Sequence, residues 1–184
     1  PVDMLSHPAG PEDYGRTIVD HFVTYLILKE EYIPRKEKSF VPALANRLDR
    51  NTSGVIMGCK NARSLKYFNE KFADRSITKI YRTICKGNIK DQEIIKSLLK
   101  DQETNKVSIR ESGKESITKV RNLHTNGEYS YVEIELITGR THQIRAHLAS
   151  VGHPVIGDIK YGDKNINNKM RKMGLPFQLL HSYG

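Results

Sequence analysis

The sequence predicts an α+β domain with a mixed, largely antiparallel sheet and helices packed around it. Three observations carry this. Apolar residues recur at helical spacing between Thr17 and Glu30, and again after Asn61. The segments 78–86 and 129–137 alternate side by side, as half-buried strands do. Two extended segments flank Asn126-Gly127, a pair that favours the left-handed turn of a tight hairpin. At 184 residues the chain is long enough for one domain with a sizeable core, and a single domain over 1–184 is expected.

In chain order, residues 1–16 are rich in Pro and Gly and read as loop. Ile18, Phe22, Tyr25 and Leu26 then form the apolar stripe of a helix over about 17–30. The charged stretch 34–42, bounded by prolines, reads as an exposed connection into Asn46-Arg47-Leu48-Asp49-Arg50-Asn51-Thr52-Ser53-Gly54. A strand is expected at about 55–59. It is followed by a helix capped by Asn61 with Leu65, Phe68 and Phe72 on one face.

In the strand 78–86, Ile80, Arg82 and Ile84 point one way, and Tyr81, Thr83 and Cys85 the other. Residues 88–116, dominated by Lys and Glu, read as a surface excursion with short extended pieces. The hairpin of 117–125 and 129–137 buries Val132, Ile134 and Leu136. Thr141 is expected to cap a helix with the stripe Ile144, Leu148 and Val151, which puts Arg145 at the edge of that stripe. A turn, short strand and turn over 152–158, a basic surface helix near 164–174 and an apolar segment at 179–181 complete the chain.

Lys and Arg total 30 against 21 Asp and Glu, for a net charge of +9, which suits a polyanionic partner. No apolar run reaches the length of a membrane span, and there is no secretory leader. Cys59 and Cys85 are isolated, without a CxxC pair, and read as buried thiols in a reducing, cytoplasmic compartment.

Seven histidines raise the question of a metal. His142 and His147 diverge by roughly 140° on a helix of 3.6 residues per turn, and the others lack ligand spacing, so no metal site is expected. Phosphate-loop, dinucleotide and serine- or cysteine-nucleophile signatures are also absent. What remains is Asp49, a carboxylate flanked by Arg47 and Arg50 on a loop. Either it is a loop salt bridge, or the guanidinium groups favour its charged form for attack on an electrophilic carbon.

The stretches Arg-Leu-Asp-Arg-Asn-Thr-Ser-Gly (47–54), Lys-Ile-Tyr-Arg (79–82) and Thr-Gly-Arg-Thr-His-Gln-Ile-Arg-Ala-His (138–147) occur in the order seen in RluA-type pseudouridine synthases. Gly-His-Pro-Val-Ile-Gly-Asp (152–158) and Leu-Leu-His (179–181) follow in the same order, so the chain resembles that family over nearly its whole length.

The resemblance implies the pseudouridine synthase catalytic fold, with a basic central cleft, and isomerisation of uridine in structured, ribosomal RNA. By motif, Asp49 is the catalytic carboxylate, Tyr81 the aromatic that stacks on the target base, and Arg145 the basic partner of Asp49. Leu180 lines the base pocket, and Arg47 fills the space left by the extruded nucleotide. Arg50 and Arg140 hold phosphates, and Asn51, Thr52, Thr141, His142 and Gln143 are further RNA-binding candidates.

No cofactor, metal or membrane is implied, and a monomer is expected. Asn46 stands where many family members carry His, and with Tyr161-Gly162-Asp163 it leans toward the RluC-like branch. The chain reads as a core trimmed at both ends, without the S4 domain that often precedes it. Two other readings stay open. One is a catalytically silent RNA-binding module. The other is a glycosyl hydrolase, which needs a second acid from Asp158 or Glu135.

Overall fold

The computed structural model describes residues 2–101 and 104–184. Its backbone groups into two compact units, Pro1–Ile77 and Thr78–Gly184.

In the first unit a 3-10 turn (Pro11–Asp13) leads to α1 (Ile18–Leu28). Thr17 caps α1, accepting from the Asp20 amide while Asp20 reaches back to the Thr17 amide, so two orphan donors are satisfied reciprocally. Leu26 is fully buried on this helix. Tyr25, expected in the stripe, is 54% exposed. The buried face is centred on Val19, Phe22, Val23 and Leu26, and Tyr25 lies at its rim.

The expected strand at 55–59 is reduced to two pairs. β1 (Ala43–Leu44) and β3 (Gly58–Cys59) form a two-stranded antiparallel ladder, while Val55, Ile56 and Met57 stay outside regular structure, with Val55 55% exposed. β2 (Ser53–Gly54) precedes them. The run was apolar without alternation, so periodicity could not fix its state. The tip of the Phe22 ring lies against Gly58, where an added Cβ would come within 2.6 Å of the ring, so the bare backbone lets α1 close on β3. α2 (Ala62–Ala73) is capped by Asn61, whose Oδ1 accepts from the Ser64 amide at 2.8 Å, and Leu65, Phe68 and Phe72 form its half-buried face.

The second unit is built on an antiparallel sheet of β4 (Ile80–Lys86), β5 (Gln92–Lys100), β6 (Val107–Ile109), β7 (Lys114–Thr125), β8 (Tyr129–Leu136) and β9 (Leu180–Ser182), in the spatial order β9-β4-β8-β7-β5-β6. Asn126 and Gly127 turn the β7–β8 hairpin as expected, with Gly127 at φ 87° and Asn126 Oδ1 accepting from the Glu128 and Tyr129 amides.

Val132 and Ile134 are fully buried and Leu136 is nearly so, on the face that also carries Thr83 and Cys85. α3 (Gln143–Ser150) packs on that face, with Ile144 and Leu148 joining Cys85, Val120, Val132, Ile134 and Leu180 in one cluster. α4 (Lys164–Lys172) lies on the surface, as expected of a basic helix.

Two expectations fail here. Residues 92–100 and 107–109 are sheet strands, not a surface excursion. β5 buries only Ile94 and Leu98, so its Lys and Glu content hid a half-buried alternation. Gln102 and Glu103 of that stretch lie outside the described residues. Thr141 does not cap α3. The cap position is His142, in the left-handed region at φ 51° and without a side-chain cap bond. Cys59 and Cys85 are free and buried, and burial pushes the Cys85 thiol up to about 11.

Candidate catalytic site

In the first unit, Asp49 sits half-buried on the loop between β1 and β2, with Arg47 and Arg50 exposed on either side. The Thr52 amide donates to the Asp49 carbonyl at 2.8 Å, closing a turn over residues 49–52. Thr52 is buried and Asn51 half-buried, with Asn51 Oδ1 enclosed and unbonded among the described residues.

The segment leading into Asp49 is pinned by side chains that stand in for ladder partners. Asn46 Oδ1 accepts from the Met57 amide at 2.8 Å, next to the Ala45–Met57 backbone bond, and so continues the β1–β3 ladder by one rung. Ser6 Oγ accepts from the Leu48 amide and donates to the Leu48 carbonyl, both at 3.0 Å. Ser6 is itself fastened to α1, because its carbonyl accepts from the Val19 amide. The residue directly before Asp49 is therefore tied to the start of a capped helix. The neighbouring His7 is held below its usual pKa by burial first and by the charge of Arg47 second, against a smaller opposing pull from Asp20.

In the second unit, Tyr81 projects from β4 between Ile134 of β8 and Ser182 of β9, and packs against the core cluster. Leu180 is 5% exposed in the same cluster. The alternation expected for this strand holds. Arg82, on the opposite face, pairs with Glu133 at 3.4 Å and lies over the Tyr183 ring.

Arg145 is buried rather than at the edge of its helix. Its Nε and one terminal nitrogen donate to Asp158 at 2.7 and 2.9 Å, a two-pronged match of planar fork to carboxylate. Burial pushes the Asp158 carboxyl up. The hydrogen bonds and charge of Arg145, with the Lys160 and Tyr161 amides, outweigh it and hold the group below its ordinary value. The Tyr161 ring lies against the guanidinium, 5.2 Å from its centroid, and its hydroxyl meets His142 Nδ1 at 2.9 Å and the Val107 amide at 2.7 Å.

Gln143 is 2% exposed, and its amide is spent inside the protein. Nε2 donates to the Ile117 carbonyl and Thr118 hydroxyl, and Oε1 accepts from the Thr138 hydroxyl and Arg140 amide. It holds the loop that carries exposed Arg140 and half-buried Thr141 and His142.

Sequence reasoning had passed over Ser6, Tyr161 and the clamp role of Asp158. Asp158 closes the motif 152–158 and so was within reach. Nothing local marks Ser6, whose partner is 42 positions away. The second acid that a glycosyl hydrolase would need also disappears. Asp158 is consumed by Arg145, and Glu135 lies across from Lys119 at 3.8 Å on the opposite sheet face from the core. Among the described residues no group of three His, Cys, Asp or Glu side chains is placed to hold a metal ion. No helix of the described residues is long and apolar enough to cross a membrane.

The model of the RNA pseudouridylate synthase family matches residues 1–150. The chain belongs to the RNA pseudouridylate synthase family. Among this family's curated proteins it is 35% identical over its full length to ribosomal large subunit pseudouridine synthase D of Borreliella burgdorferi, covering 55% of that protein. It is 34% identical to ribosomal large subunit pseudouridine synthase C of Haemophilus influenzae, over 98% of the chain and 56% of the relative.

The chain thus spans about half the length of the curated relatives it matches. These names agree with the RluA-type resemblance, including its RluC-like branch. Among solved family structures, human RNA pseudouridylate synthase domain containing 1 superposes with a TM-score of 0.67 at 26% identity, over 86% of this chain and 67% of that one. Human RNA pseudouridylate synthase domain containing 4 gives 0.76 over 99% and 76%, at 20% identity, which speaks for the fold alone.

Proposed function

We propose that this chain forms the catalytic domain of a cytoplasmic, monomeric enzyme that converts specific uridines of structured RNA, large-subunit ribosomal RNA first among them, to pseudouridine. The observation that carries the reading is the Asp49 loop. It keeps the family's Arg-Leu-Asp-Arg sequence, and the segment leading into Asp49 is braced by Ser6 at Leu48 and by Asn46 against Met57. The two relatives named above act, by their names, on the large ribosomal subunit.

The reaction breaks the N1–C1′ bond of uridine and forms a C5–C1′ bond, with the C5 proton lost and N1 protonated. A paired uridine must first leave its stack, at about a few kcal/mol. Stacking on Tyr81, worth roughly 1–3 kcal/mol per base, and phosphate contacts in a basic cleft offset that cost.

Asp49 either attacks C1′ as it gains positive character or removes a sugar proton on an elimination route. Arg145, its own orientation fixed by Asp158 and Tyr161, is by motif the basic partner of Asp49 in this reading. Leu180 gives the detached base an apolar wall against which to turn. Arg47 enters the gap left in the helix. Arg50 and Arg140 hold phosphates, with Asn51, Thr52, Thr141 and His142 shaping their loops and Gln143 bracing the second from inside. No cofactor or metal takes part.

The test is to incubate the wild-type protein and Asp49→Asn with unmodified large-subunit ribosomal RNA and map pseudouridine. Product from wild type alone is the expected result. Binding without product from either protein would make the chain a silent module, and release of free uracil would make it a hydrolase.

A further inference from the structure

The exposed face of α4 is the strongest unassigned feature of the second unit. Its nine residues carry Lys164, Lys169, Arg171 and Lys172 and no acid. At 3.6 residues per turn, Lys164, Arg171 and Lys172 fall within roughly a 100° arc, with Asn168 between them. Half-buried Ile166, Asn167 and Met170 occupy the inner side.

Lys169, outside that arc, pairs with Glu128 at 3.7 Å. Lys164, Arg171 and Lys172 are exposed and have no acidic partner among the described residues. Helix electrostatics accounts for only part of this pattern. Cations in the last turn suit the negative end of the dipole, but Lys164 opens the helix, where a positive charge is unfavourable.

The inner side of α4 leads directly to the buried clamp. Asn167 Oδ1 accepts from the Gly157 amide at 2.8 Å, and its Nδ2 donates to the Asp158 carbonyl at 2.7 Å. Gly157, at φ 80°, has the Phe177 carbonyl where a Cβ would stand, so this turn has one arrangement. Asp158 in turn fixes Arg145. Whatever docks on α4 is thereby held at a set distance and angle from the Arg145 guanidinium.

We propose that α4 is a docking surface for the phosphodiester backbone of the substrate RNA at a distance from the reacting uridine, and that Asn167 sets its register against Arg145. The proposal rests on the RNA-modifying reading above. From Lys164 to Lys172 the helix runs about 12 Å. Along one nucleic-acid strand, phosphates advance about 3.4 Å each, so Lys164 and the adjacent Arg171 and Lys172, about 10 Å apart along the axis, reach phosphates roughly three steps apart on one strand. An acidic protein would also be attracted, but a face of three cations with no acid on the helix and the RNA substrate of the reading above favour the polyanionic backbone.

The experiment measures the affinity of the whole chain for an unmodified transcript of large-subunit ribosomal RNA across a series of salt concentrations. It compares wild type, K164Q/R171Q/K172Q and a control, K90Q/K100Q/K114Q, which removes the same charge from exposed lysines elsewhere in the unit. The α4 triple is expected to lower the slope of log affinity against log salt by about three. The control is expected to change it by less than about one. All three proteins should share a melting temperature, since the replaced side chains are exposed.

An unchanged slope in the α4 triple, or equal losses in both triples, would overturn the proposal. Affinity is read without turnover. A protein that binds through α4 but makes no pseudouridine therefore sinks the reaction and leaves this surface standing. One that makes pseudouridine while the α4 triple binds like wild type does the reverse.

Discussion

The Arg145–Asp158 pair offers the sharpest energetic test. Its side chains are 6% and 0% exposed and joined by bonds of 2.7 and 2.9 Å. Replacing Asp158 by Ala strands a guanidinium in a buried site, a cost of about 3–5 kcal/mol. Asp158→Asn keeps the shape and an acceptor for the Lys160 and Tyr161 amides but removes the charge. It should cost about 2 kcal/mol, the scale of one charge-assisted hydrogen bond.

In the double variant Arg145→Met/Asp158→Leu no charge is stranded, so its cost should fall short of the sum of the single variants by at least about 2 kcal/mol. Urea unfolding at pH 7 of wild type, Asp158→Ala, Asp158→Asn, Arg145→Met, Asp158→Leu and the double variant measures these differences. Additive costs, or a loss below about 1 kcal/mol for Asp158→Ala, would refute the clamp.

The pH dependence follows from the depressed carboxyl. The native state gives up its proton at lower pH than the unfolded chain. Stability from this group is therefore complete above the ordinary value of 3.8 and is lost as pH falls through the native value. Asp158→Asn should flatten that part of the acid limb.

His147 titrates in a separate window. It is fully buried, and burial, then the charge of Lys96, lowers its pKa from 6.5 to about 4 against a smaller opposing pull from a Lys96 backbone group. The unfolded chain takes up this proton first, so stability should fall as pH drops from 6.5 toward 4, by up to about 1.4 kcal/mol per unit. His147→Leu should remove this slope while matching wild type at pH 7. Superimposable pH profiles of the two proteins would contradict it. Ser6→Ala leaves the Leu48 amide without its acceptor, at about 1–3 kcal/mol, and should lower kcat several-fold with KM for RNA little changed. Ser6→Thr, which keeps the hydroxyl, should recover most of kcat, and equal losses in both variants would show that Ser6 only fills space.

What was legible in the sequence is what local pattern encodes. The Asn126-Gly127 hairpin, the shared face of Tyr81, Thr83 and Cys85, the Asn61 cap and the basic helix α4 all follow from turn chemistry and periodicity, and all are present. β5 escaped because two buried residues, Ile94 and Leu98, among polar neighbours fall below what a pattern can announce. Val55 to Met57 misled for the opposite reason, since an apolar run without alternation has no preferred state. At the site, the motifs named Asp49, Tyr81 and Arg145 but not the supports. Ser6 and Leu48 meet across 42 positions, and Tyr161 reaches His142 across 19, contacts that only the folded backbone creates.

The supports share one physical character. Ser6, Asn46, Gln143 and Asn167 each spend side-chain hydrogen bonds on backbone groups of a loop, in places where neither helix nor strand could satisfy them. Such bonds contribute only about 1 kcal/mol each when made and cost more when broken, so they fix conformation more than they add stability. Arg145 carries the same logic further. Apolar residues in place of both partners would leave the fold about as stable, because desolvating a guanidinium and a carboxylate cancels much of their attraction. Stability alone therefore gives no reason to bury that pair beside Tyr161. What the pair adds instead is conformation, a cation whose direction does not vary because Asp158 holds it by two bonds and the Tyr161 ring lies against it.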